Sequence, residues 1–93
     1  MRGYTVVGVH ITERAKNAAD VQRVLTERAS NIRTRLGLHP THGESACSEG
    51  LILLDTVGAE EEIDALCRAL HRLVGVQVQR MYFSCPTPTE PDP

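Results

Sequence analysis

The sequence predicts an α+β domain, and three observations carry that prediction. Alternating runs rich in β-branched residues fall at residues 4–11, 32–39, 51–57 and 76–83. Apolar residues spaced by three and four mark helices that start near Ala18 and Ile63. No helical pattern lies between the second and third strands, which excludes two independent parallel strand–helix–strand units. The order is therefore β-α-β-β-α-β. Its natural solution is the split-βαβ, ferredoxin-like sandwich, an antiparallel sheet of order 4-1-3-2 with both helices on one face.

Each element has its own signal. In the first strand, alternation sets Val7, Val9 and Ile11 on one face and Tyr4, Val6, Gly8 and His10 on the other. Asn17 is the expected cap of the first helix, whose apolar stripe is Ala18, Val21, Val24, Leu25 and Ala29. Simple alternation in the second strand groups Ile32, Thr34, Leu36 and Leu38, and opposes them to Arg33, Arg35, Gly37 and His39. Residues 39–50 (HPTHGESACSEG) show no periodicity and read as a long loop. LILLDTV, bounded by Gly50 and Gly58, reads as a central strand buried on both faces. Glu60, Glu61 and Glu62 supply the negative charge that a helix start favours, and Ile63, Leu66, Cys67, Leu70 and Leu73 or Val74 continue as a stripe. Gly75 ends that helix, and VQVQRMYF opens as strict alternation. Residues 1–85 form the expected single domain. The tail PTPTEPDP (86–93), with four prolines in eight residues, is expected to be disordered.

Composition narrows the function. The 93 residues are 41% apolar and 24% charged, a globular balance, and the net charge of −2 argues against nucleic acid as a partner. Tyr4, Tyr82 and Phe83 are the only aromatics, so platforms for stacking bases are scarce. No apolar run approaches the ~18–20 residues that span a bilayer, and the first residues turn polar too soon for a signal peptide. Three widely spaced cysteines make no disulfide framework; a reduced, cytoplasmic protein is expected. Cys67 falls on an apolar stripe and reads as a small buried hydrophobe.

Helices on one face leave the other bare. Val6, Gly8, Gly37, half of the third strand and Met81 or Tyr82 are expected there, and a contiguous apolar face on a small protein marks an association surface. Packing against a second copy, sheet on sheet, satisfies it, giving a homodimer or higher homo-oligomer. Gly8, His10, Gly37 and His39 are the candidate effector-binding residues on this face.

The element order, the segment SNIRTRLGLH and the ending RLVGVQVQRM resemble those of a small family of ACT-like proteins, the iron-only hydrogenase system regulators. The resemblance spans residues 4–83. It implies a free-standing regulatory domain that self-associates and binds a small effector or a protein partner. That family is similar in turn to the C-terminal effector domain of nickel-responsive repressors. Of the nickel ligands there, His39 matches one histidine and Cys47 lies two residues from the cysteine position. Gly37 stands at the other histidine, and Thr26 falls near the fourth ligand.

The topology collects His10, His39, His42, Glu44, Cys47 and Glu49 at one edge of the sheet. Imidazole, thiolate and carboxylate suit nickel, zinc or iron. His39, His42 and Cys47 share one loop and are the candidate metal ligands. His10 is two strands away, about 9.6 Å at ~4.8 Å per strand. The alternative function is thus a transition-metal sensor or carrier built on this loop. An enzyme is not expected: there is no Gly-rich phosphate loop, no G-x-S-x-G and no pair of carboxylates in an evident cleft. The sandwich serves acylphosphatases through a Gly-Arg cradle after the first strand, where this chain has His10-Ile11-Thr12-Glu13.

Overall fold

The computed structural model describes residues 2–12, 14–38 and 50–85, with side chains for 3–12, 17–38 and 50–84. Strand β1 (Arg2–Ile11) is followed by helix α1 (Arg14–Glu27), a 3-10 turn at Ala29–Asn31 and strand β2 (Ile32–Leu38). Strand β3 (Gly50–Thr56), helix α2 (Glu60–His71) and strand β4 (Val76–Cys85) complete the chain. The sheet order is β2-β3-β1-β4 with antiparallel neighbours throughout, the ferredoxin-like sandwich read from the sequence. The candidate loop ligands His39, His42 and Cys47, and the tail 86–93, lie outside the described residues.

One face of the sheet holds the core. Val7, Val9 and Ile11 of β1, Ile52 and Leu54 of β3 and Val76 of β4 are buried beneath the helices. Val21, Val24 and Leu25 of α1 meet them, with Ile63, Leu66, Cys67 and Leu70 of α2. Two helix details differ from expectation. Helix α1 begins at Arg14, so Asn17 is inside it rather than at its cap. The Asn17 amide reaches back and donates to the Thr12 carbonyl at 2.8 Å, holding the turn out of β1. Ala29 is exposed in the 3-10 turn, because the helix has already ended.

Two junctions lock the elements together. Gly75, at φ +83°, takes the left-handed conformation that glycine tolerates, and its carbonyl accepts both the Thr12 amide and the Thr12 hydroxyl at 2.8 Å. At the opposite end, buried Asn31 donates to the Val57 carbonyl at 3.0 Å and to Glu62 Oε1 at 2.9 Å. Glu62 Oε1 also accepts the Ala59 amide at 3.1 Å, so one carboxylate both caps α2 and ties it to the 3-10 turn. Asn31→Ala removes the donor to the Val57 carbonyl and loosens that cap. Urea unfolding of this variant is expected to show a loss of about 1–3 kcal/mol.

The outer strand β2 carries a β-bulge. Ile32 pairs with Thr56, Thr34 pairs with Asp55, and Arg33 is the extra residue. Because side chains alternate with period two, one extra residue exchanges the faces of everything beyond it. Leu36 and Leu38, expected beside Ile32 under the helices, instead point to the bare face opposite Leu53 and Leu51. Arg35 and Gly37, expected on the bare face, lie on the helix side opposite the buried Leu54 and Ile52. The assignment of Gly37 to the bare face is corrected accordingly.

Strands β1 and β4 run ten residues each against seven for β2 and β3. Their far ends pair with each other from Arg2↔Cys85 to Thr5↔Tyr82, as a two-stranded extension of the sheet. All three aromatic residues sit there, each substantially exposed. The Tyr82 ring lies over Gly3, in space that a side chain on residue 3 would fill.

Candidate functional site

The bare face is a grid set by the strand register. Across β2, β3, β1 and β4 its rows read Thr34, Asp55, Val6, Met81; then Leu36, Leu53, Gly8, Gln79; then Leu38, Leu51, His10, Gln77. The four leucines form a contiguous block on β2 and β3. Leu36 is 54% exposed, Leu38 41% and Leu51 36%, and Met81 across the sheet is 54% exposed. Leu53, Val6 and half-buried Gly8 connect the block to the Met81 and Phe83 side. The central strand expected to be buried on both sides is buried only under the helices.

Polar groups frame this surface. The Arg33 guanidinium donates to Asp55 at 3.1 and 3.4 Å and lies 5.6 Å from the Tyr4 ring centroid. The hydrogen bond and charge of Asp55 raise the Arg33 pKa above its ordinary value, which favours the cation further. His10 is half-buried at the other end, opposite Leu51 and Gln77. Of the four candidate effector residues, Gly8 and His10 are on the bare face, Gly37 is on the opposite one, and His39 is outside the described residues. Among the described residues no three of His, Cys, Asp and Glu come together as a metal centre. Cys67 is buried in the core, and that burial pushes its thiol pKa up, which keeps it protonated.

The helix side of β2 holds a second feature. With Leu36 turned away, a cavity of about 290 Å³ opens between α1 and the outer half of the sheet, reaching Leu38 and Leu51 at the sheet's end. Ile11, Ala18, Val21, Leu38, Leu51 and Ile52 line its apolar part, and Gly37 contributes no side chain. Gln22 and Arg35 stand at it, joined by a 2.9 Å hydrogen bond from Arg35 Nη2 to Gln22 Oε1. Sequence reading missed Leu36, Leu38 and Gln22 as surface-defining residues, and it placed Arg35, read with Arg33 as an anion-binding or rim residue, on the opposite face. A bulge of this kind demands no glycine or proline, so nothing in IRTRLGL announces it.

Element order, register and the one-sided helix layer define an α+β domain of ferredoxin-like, ACT-like architecture. Among solved structures the chain is similar to an uncharacterized protein, TM1266, from Thermotoga maritima. The TM-score is 0.77 at 19% identity, covering 89% of this chain and 100% of the other. It is similar to CPII, a nitrogen regulatory PII-like protein from Thiomonas intermedia K12 bound to ADP, AMP and bicarbonate, with TM-score 0.60, 11% identity and 94% coverage of each chain. The regulatory subunit of aspartate kinase from Thermus flavus gives a TM-score of 0.50 at 15% identity, over 84% of this chain and 50% of that one. At these identities the likeness is one of fold. No protein-family model matches the sequence, and no curated protein matches it. No helix among the described residues is long and apolar enough to cross a membrane.

Proposed function

We propose that this chain is a non-enzymatic regulatory domain that associates with a second copy through its bare sheet face and binds a small effector or a protein partner. The observation that carries the reading is the leucine block Leu36, Leu38, Leu51 and Leu53, continuous with Val6 and Met81 and facing away from the core. Water contact with so much apolar surface is unfavourable at roughly 25 cal/mol per Å², and a second sheet ~10 Å away removes it. Similarity of fold to a PII-like protein and to an aspartate kinase regulatory subunit supports the regulatory part. The likeness of SNIRTRLGLH and RLVGVQVQRM to iron-only hydrogenase system regulators supports a narrower version, a regulator within such a system.

Sedimentation equilibrium over a concentration series tests the association. A mass of twice the chain, falling towards one chain on dilution, is the expected result. A single-chain mass at the highest concentration overturns it.

A further inference from the structure

The cavity between α1 and β2 has the chemistry of a binding site for a small carboxylate. We infer that it takes a short, branched aliphatic monocarboxylate, its hydrocarbon part against Ile11, Ala18, Val21 and Ile52 and its carboxylate on the Arg35 guanidinium. This inference names the effector class of the regulatory reading above and rests on that reading.

Three observations converge. The cavity's volume, about 290 Å³, suits a small molecule rather than a peptide or nucleotide. Its deep wall is aliphatic: Val21 is fully buried, Ile11 and Ile52 nearly so, and Ala18 leaves room that a larger residue would fill. Space also opens at Gly37, where a Cβ would meet nothing within 4 Å. The one charge lining the cavity among the described residues is positive. Among the described residues, Arg35 hydrogen-bonds to the neutral Gln22 amide and forms no ion pair, whereas Arg33 is committed to Asp55 and Arg80 to Asp64. A guanidinium holds a carboxylate through two parallel N–H donors, and Gln22 can turn its own amide N–H to the same oxygen. No carboxylate among the described residues lines the cavity to favour a cation.

The bulge explains why the site exists. In the unbulged register Leu36 and Leu38 would project into this space and Arg35 would face away. The extra residue Arg33 empties the space and places one cation at it.

Isovalerate is the probe, with isoamyl alcohol and isoamylamine as neutral and cationic counterparts of the same shape. Amide NMR titrations on the full chain are expected to show saturable shifts with isovalerate at Val21, Gln22, Gly37 and Ile52. The alcohol should bind about tenfold more weakly or worse, and the amine more weakly still. Arg35→Gln, an exposed change, should abolish the preference for the acid over the alcohol. Ala18→Leu should remove binding of both by filling the space, with amide spectra confirming the fold. Shifts centred elsewhere, equal binding of the amine, or binding that survives Ala18→Leu overturns the inference. The titration is repeated on Leu36→Glu/Leu53→Glu, which alters the bare face but no residue lining the cavity. Absence of isovalerate binding in both chains, with association of the parent intact by sedimentation, removes the cavity site alone. Loss of association with isovalerate binding retained removes the dimer alone.

Discussion

Leu54→Ala is expected to lower the unfolding free energy by about 2–5 kcal/mol, the range for emptying a fully buried leucine site. Leu54 is 0% exposed and pairs across the sheet with Val7, also 0% exposed, directly beneath the helices. Both neighbours of β3 in the sheet fix its backbone, so collapse into the void is restricted. A domain of this size has roughly 5–15 kcal/mol in all, and the variant should melt at least about 10 °C lower. Urea titration followed by circular dichroism reads the change as a lower midpoint with an unchanged slope. A loss below about 1 kcal/mol would contradict the placement of Leu54 at the centre of the core.

Leu36→Glu/Leu53→Glu is expected to produce a folded single chain. Both leucines lie in the middle row of the bare face, one strand apart, where a facing sheet would bury them. Burying a leucine contributes about 1.5–3 kcal/mol, and two carboxylates placed there must also be desolvated. The dissociation constant should therefore rise by at least about 100-fold, read by sedimentation equilibrium. Far-ultraviolet circular dichroism should not change, since neither side chain supports the helix layer. A mass still twice that of the chain would show that association uses another surface.

The fold was legible in the sequence because its signals are periodic. Strict alternation in VQVQ and the three-and-four spacing of Ile63, Leu66, Cys67 and Leu70 specify which side faces the core, and β-α-β-β-α-β then leaves few topologies. Gly75 was legible for a similar reason, since a glycine after a basic last turn is a helix stop. What alternation could not reveal was a change of phase. Arg33 is an ordinary residue that pairs side by side with Asp55, and a single insertion inverted the reading of Arg35, Leu36, Gly37 and Leu38. The apolar face was expected from the one-sided helix layer, yet two of its four leucines, Leu36 and Leu38, were assigned to the core side. Asn17 and Asn31 show the same limit at short range. Asn17 looked like a cap, and both work through backbone carbonyls that the pattern does not reveal, Thr12 for one and Val57 for the other.

The gathering of Tyr4, Tyr82 and Phe83 at the ribbon formed by the ends of β1 and β4 has a spectroscopic consequence. With no tryptophan, ultraviolet emission comes from two phenols at one pole of the molecule. The chromophores thus act as a resident probe of that pole, dimming or brightening when something seats against the ribbon. Events near Gly37, at the far pole, are optically silent to them unless the intervening sheet transmits a change.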